Sequence, residues 1–295
     1  MARLIRGASK NARFFIVDSK DVVQKAQDIH KCSPTAIAAF GRFLTAGIIM
    51  GAGLKGDDLM TLRTDTDGSL NHMVVTSDSM GRIKGYLSNP EAELPLKSNG
   101  QPNVGGIIGK GMLRVIKDMG LKEPYIGISN IQTGEIAEDI AYYYYTSEQT
   151  PTVLALGVSL NDDMSIKNAG GYMVQLLPDS EEQFIDKLEA KIGAIRPVTE
   201  LFEGGMDLER IAKLLYEDME DEQGEKLVEE YELYEEIETK YSCNCDKDRF
   251  YRGLMALGKE QLQDAFSEKE SIEVECHFCK AKYEFKKEEF DSIMK

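Results

Sequence analysis

Along this chain the spacing of apolar and polar positions changes style twice. Up to about residue 178 most apolar runs are short and strand-like: Asn11 to Val17, Leu59 to Thr64, Leu70 to Ser77, Arg82 to Leu87, Gly111 to Lys117, Tyr125 to Asn130, Val153 to Leu160 and Gly171 to Leu177. Turn chemistry separates several of them, as at Thr66-Asp67-Gly68 and Asp78-Ser79-Met80-Gly81. Helical spacing is expected over Lys20 to His30, Thr35 to Met50 and Gly134 to Ser147. The second of these opens on Ser33 as N-cap and Pro34 at the first helical position. Consecutive strands with a few helices predict an α+β domain over 1–178 rather than a doubly wound sheet.

From 179 to 240 the pattern turns helical. Phe184, Ile185, Leu188 and Ile192 form one stripe, and Asp207 is placed to cap a helix burying Leu208, Ile211, Leu214 and Leu215. Charge changes the picture here. Residues 1–178 hold 18 acidic and 18 basic side chains, 179–240 hold 21 and 7, and 241–295 hold 12 and 10, within a formal net charge of −16. The stretch EDMEDEQGEKLVEEYELYEEIETK is expected to be a solvated acidic helix, or a marginally stable linker that can lose structure, and the two are compatible. An acidic chain of this kind disfavours nucleic acid as a main partner, since phosphate binding needs clustered Lys and Arg.

The last segment, 241–295, suggests two short helices, then SIEVECHFCKAKYEF alternating as a hairpin with a CxxC at its tip, then a short final helix. It carries four of the five cysteines. Their spacing is Cys243-x-Cys245, thirty intervening residues, then Cys276-x-x-Cys279. Two close thiolate pairs suit the tetrahedral geometry of zinc, so one zinc ion on these four residues is expected. A segment this short has a marginal core of its own. A structural metal contributes on the order of 10–16 kcal/mol in small zinc peptides, enough to decide whether such a module folds. Thiolates are also what oxidants attack, so oxidation would eject the metal and unfold the module.

Other apparent motifs carry little. NVGGIIGKG (103–111) lacks the hydroxyl residue that follows the Walker lysine, so it is expected to be a turn region and no ATP site. Three histidines without supporting motifs give no nucleophilic triad, and no catalytic residue is expected. His30 and His72 read as structural, His277 as an exposed knuckle residue and Cys32 as a free thiol. Tyr142 to Tyr145 reads as half core, half surface. No run of about eighteen apolar residues predicts a membrane span, and the N-terminus does not resemble a secretory signal, so a cytoplasmic protein is expected.

The cysteine pattern with YSCNCDKDR and CHFC, together with DGSLNHMVVTSDSMGRIKGYLSNP (67–90), AEDIAYYYYTSEQTPT (137–152) and AGGYMVQLLPD (169–179), resembles the heat-shock protein 33 family, the 33 kDa chaperonin. The resemblance spans the whole chain. It implies an ATP-independent holdase that binds unfolding client proteins under oxidative stress and is inactive when reduced and zinc-bound. Activation in the family goes with disulfides, here Cys243–Cys245 and Cys276–Cys279, with zinc release, loss of structure in the linker, and dimers. The implied organisation is a client-binding platform (1–178), an acidic helical redox-sensitive linker (179–240) and a zinc-binding redox-switch domain (241–295). Two other classes compete: a zinc-ribbon nucleic-acid binder, opposed by the charge, and a thiol–disulfide oxidoreductase, whose CxxC would open a helix rather than sit in a hairpin.

Overall fold

A computed structural model describes residues 2–217, 219–220, 226–227 and 229–294. The chain divides into two compact units, one ending at Tyr241 and one starting at Ser242. In the first unit run β1 (Arg3–Ser9), β2 (Ala12–Asp18), α1 (Lys20–His30), α2 (Pro34–Gly51), β3 (Leu59–Thr66), β4 (Met73–Asp78) and β5 (Arg82–Leu87). Next come α3 (Val104–Ile108), β6 (Gly111–Asp118), β7 (Tyr125–Asn130), α4 (Ala137–Ser147), β8 (Thr152–Leu160) and β9 (Ile166–Leu176). Helices α5 (Glu182–Ala194), α6 (Val198–Glu203) and α7 (Leu208–Tyr216) follow. The unit ends in short strands: β10 (Met219–Glu220) paired with β11 (Lys226–Leu227), then β12 (Tyr231–Leu233), β13 (Ile237–Glu238) and β14 (Lys240–Tyr241).

Two sheets result, in the order β12-β1-β2-β9-β8, with β13 also on β1, and β14-β5-β4-β3-β6-β7. Pairing is antiparallel except where β14 lies parallel to β5. Helix α2 lies between the sheets. The Ser33 hydroxyl accepts from the Ala36 N–H at 3.2 Å, as the sequence predicts. Nearly every residue of α2 is buried, which accounts for a composition long and apolar enough to cross a membrane by that test alone. Close approach requires glycine at two of its positions. A Cβ at Gly47 would lie 2.6 Å from Val75 Cγ1, and one at Gly41 2.7 Å from Val23 Cγ1.

The first sheet is covered on both faces. Along β2, Phe15 and Val17 face α1 and α2, while Phe14 and Ile16 face the other way, as the two-residue period demands. There they meet Phe184, Leu188, Leu201, Ile211 and Leu215 from α5 to α7. Asp207 Oδ1 caps α7 by accepting from the Arg210 N–H at 2.8 Å. Each such large side chain contributes about 1.5–3 kcal/mol by leaving water.

Two expectations need correction. Helix α4 begins at Ala137 rather than Gly134, because Asp139 accepts from the backbone N–H groups of Gln132, Thr133, Gly134 and Ile136 and winds that stretch into a loop. The acidic helix expected over 217–240 is absent among the described residues, which run as short strands instead; residues 218, 221–225 and 228 lie outside them. Tyr231 and Leu233, then Ile237, Thr239 and Tyr241, form two short runs at two-residue spacing with Glu232, Glu238 and Lys240 between, so short edge strands set these charged side chains on the side opposite their neighbours.

Asn11, in the turn between β1 and β2, fastens both ends of the acidic segment. Its Nδ2 lies 3.1 and 3.2 Å from the two carboxylate oxygens of buried Glu229, and its Oδ1 accepts from the Glu181 N–H at 2.8 Å. We expect Asn11→Ala to cost about 1–3 kcal/mol, because it removes the side-chain donor to a buried carboxylate and leaves it the Asn11 backbone N–H at 3.3 Å. Hydrogen exchange should accelerate in β12 and β13 but not in β9. Unchanged exchange at Tyr231 to Leu233 would remove Asn11 from this role.

Candidate metal centre

The second unit contains α8 (Lys247–Leu257), α9 (Lys259–Ala265), the hairpin β15 (Ser271–Glu275) and β16 (Lys282–Lys286), a 3-10 turn and α10 (Asp291–Met294). Its buried apolar core is Leu262, Phe266, Phe285 and Phe290, with Phe250, Tyr251 and Leu254 packed against it. Helix α8 starts where Asp246 Oδ1 accepts from the Arg249 N–H at 2.7 Å, which leaves Cys243 and Cys245 in the extended chain just before it. Cys276 ends β15. The Cys276 N–H donates to Ala281 O at 2.9 Å and the Lys280 N–H to Cys276 O at 2.8 Å, with Lys280 left-handed at φ 59°. That tight turn sets Cys276 and Cys279 side by side.

The four sulfurs lie within 4.8 Å of one another. Cys243 Sγ is 3.8 Å from Cys276 Sγ, and Cys245 Sγ is 3.3 Å from Cys279 Sγ. Four thiolates at about 2.3 Å around a tetrahedral ion stand some 3.8 Å apart, so the donor set and its spacing fit a metal ion. All five cysteines are free thiols. Cys276 is buried and the other three ligand candidates are half-buried. His277 is exposed on the turn and outside the cluster.

Hydrogen bonds to the sulfurs are specific. The Cys245 N–H serves Cys243, the Ala281 N–H serves Cys279, and the Tyr283 hydroxyl lies 3.3 Å from Cys245 Sγ. Burial works to raise the Cys245 thiol, but the Tyr283 hydroxyl and then the neighbouring sulfurs outweigh it and push the thiol down to about 7. Burial, then the Cys245 and Cys243 sulfurs, push Cys279 up to about 12. Burial also raises Cys243. Cys243, Cys245 and Cys279 therefore titrate as interacting groups rather than as independent thiols.

The remaining candidates are structural. Cys32 is buried and its thiol is pushed up to about 12 by that burial. His30 Nε2 sits 3.2 Å from Gly85 O and 3.3 Å from the Tyr241 hydroxyl, and His72 Nδ1 is 2.7 Å from Ser88 Oγ. In the 103–111 stretch, the backbone N–H groups a phosphate would need are engaged by Glu135, Asn103 and Asp67. That stretch holds the short helix α3, not only a turn. Tyr143 and Tyr144 are buried while Tyr142 and Tyr145 are exposed, the split the sequence suggests. Sequence reasoning missed Tyr283. Its signal was faint: Tyr283 and Phe285 share one face of a strand that starts three residues after Cys279.

A family model described as Hsp33 protein matches residues 3–286. A 33 kDa chaperonin of Agathobacter rectalis is 43% identical over 287 residues, covering 97% of this chain and 96% of that protein. One from Caldanaerobacter subterraneus subsp. tengcongensis is 44% identical, covering 97% and 94%. The crystal structure of the 33 kDa chaperonin (heat shock protein 33 homolog) from Thermotoga maritima superposes with a TM-score of 0.86 at 32% identity, covering 99% of this chain and 97% of that one.

Burial keeps the Cys32 thiol, pushed up to about 12, from yielding its reactive thiolate. In the reduced chain treated with a metal chelator, iodoacetamide labelling at pH about 8 followed by mass spectrometry is expected to modify Cys243, Cys245, Cys276 and Cys279 before Cys32. Labelling led by Cys32 would contradict this ordering.

Proposed function

The chain belongs to the Hsp33 family of chaperones, and from that premise we propose that it is a redox-regulated, ATP-independent holdase controlled by its C-terminal cysteines. The observation that carries the reading is the cluster of four free sulfurs in a unit whose buried apolar core, among the described residues, is four side chains. Such a core is small for the length it must order. Zinc, held by Cys243, Cys245, Cys276 and Cys279, would supply a fixed tetrahedral tether between the extended chain before α8 and the β15–β16 turn.

In the reduced state the four cysteines act as thiolate ligands and keep the unit folded. Under oxidation a thiolate sulfur attacks peroxide, giving a sulfenic acid and hydroxide. A neighbouring thiolate then displaces the second hydroxide and forms the disulfide, so each disulfide consumes one peroxide, which takes up the two electrons the thiolates lose. The pairs proposed are Cys243–Cys245 and Cys276–Cys279. Both disulfides together remove all four ligands, so the unit loses its metal and its tether.

The acidic segment 179–240 is the proposed second element of the switch, between a platform at 1–178 and the cysteine unit at 241–295. Helices α5 to α7 cover the apolar outer face of the first sheet, including Phe14, Ile16 and Val174. Their release would expose that face to unfolding client proteins, with dimers accompanying activation. The acidic balance favours protein clients over nucleic acid, and no catalytic step is assigned. The proposed setting is the cytoplasm, where thiols are kept reduced until stress intervenes.

Peroxide with mild unfolding is expected to release about one equivalent of zinc per chain, as one four-thiolate site requires. It should also switch on suppression of client aggregation, and a thiol reductant should reverse both. Aggregation suppression of equal strength before and after metal loss would sink the switch.

A further inference from the structure

We propose that Tyr283 is a positioning residue of the metal centre: its hydroxyl donates to Cys245 Sγ and holds that sulfur in ligand geometry. The proposal rests on the four-cysteine metal reading above and goes beyond it to a residue outside the ligand set. The Tyr283 hydroxyl lies 3.3 Å from Cys245 Sγ and 3.2 Å from Cys245 O, so its one proton is shared between two acceptor atoms of one residue. Its ring packs against Phe250 of α8 at a centroid distance of 5.1 Å. On the hairpin it pairs with Val274, on the strand that delivers Cys276. One side chain therefore touches the CxC residue, the helix that follows it and the hairpin that carries the CxxC.

The two half-sites differ in what their backbone supplies. In the CxxC half-site the chain turns through left-handed Lys280 and brings the Ala281 N–H to Cys279. In the CxC half-site the Cys245 N–H reaches back to Cys243, but the chain then runs straight into α8. There the Arg249 N–H is taken by the Asp246 cap, and the Phe250 N–H donates to Asp246 O. Tyr283 supplies from β16 the donor to Cys245 that the backbone supplies to Cys243 and Cys279.

Chemistry gives the hydroxyl its use. Four thiolates around a divalent ion leave two excess negative charges. A donor aimed at a sulfur offsets part of that charge without occupying a ligand position, and it fixes the sulfur's direction. A phenylalanine at 283 keeps the ring contact and removes only the donor.

The test uses the full-length reduced chain loaded with Co²⁺, whose sulfur-to-cobalt charge-transfer bands report the electron density on the ligating sulfurs. Tyr283→Phe is expected to shift those bands to longer wavelength while tetrahedral d–d bands persist. Chelator competition should show zinc held on the order of 10–100-fold more weakly. Tyr251→Phe is the control, since the Tyr251 hydroxyl donates to Glu289 O at 3.1 Å in the same unit. It should leave both spectrum and affinity at wild-type values. Identical cobalt spectra for Tyr283→Phe and wild type, or equal loosening in Tyr251→Phe, would overturn the role. A wild-type chain without sulfur-to-cobalt bands would overturn the metal reading itself, and this proposal with it.

Discussion

Four sulfurs held within 4.8 Å of one another could not all ionise without strong mutual repulsion unless something positive lay between them. Everything else in the C-terminal unit follows from how that constraint is met. Two sulfurs come from extended chain and two from a hairpin turn, and the two sources meet through a small apolar cluster in which Tyr283 packs on Phe250. The donor bonds from Cys245, Ala281 and Tyr283 lessen the repulsion but do not cancel it. A bound divalent ion would turn the same cluster from a source of repulsion into the strongest tether in the unit. An arrangement that depends on a ligand to this degree is one that chemistry on the ligand atoms can undo.

The larger unit answers a different need. Its first sheet is apolar on both faces, so it requires a layer on each side. The inner layer is α2, locked by glycines that let the sheets approach. The outer layer is α5 to α7, whose helices carry six acidic and four basic side chains. They gain their place through an apolar stripe on one side, with charges of both signs on the rest. Short edge strands and the Asn11 contacts hold the remainder of that segment. Residues 217–240, which follow these helices, hold 12 acidic and 2 basic side chains, so like-charge repulsion acts on the part of the segment that follows the covering layer, which suits the proposed release.

Much of this was legible in the sequence, and the misses have physical causes. The four cysteines were legible because ligand chemistry depends on residue type and short spacing, both of which are local. The capping of α2 by Ser33 and of α7 by Asp207 was legible for the same reason. The stretch from 217 to 240 was misread as helix because its charge content overshadowed two short runs of two-residue period, Tyr231 and Leu233, then Ile237, Thr239 and Tyr241. Asn11 and Glu229 lie 218 residues apart, and Tyr283 reaches Cys245 only through the register of a hairpin. Contacts of that kind are fixed by tertiary packing and leave no local mark. Family membership places the chain among chaperones.

The most direct test of the account is hydrogen exchange on the reduced chain with and without a metal chelator. The metal is held to be what keeps the C-terminal unit folded. On chelation, amides of β15, β16 and α8 should lose protection together, while those of β2 and β9 in the large sheet stay protected. Unchanged protection of β15 and β16 after complete metal removal would contradict the account, because the unit would then be folded by its apolar core alone.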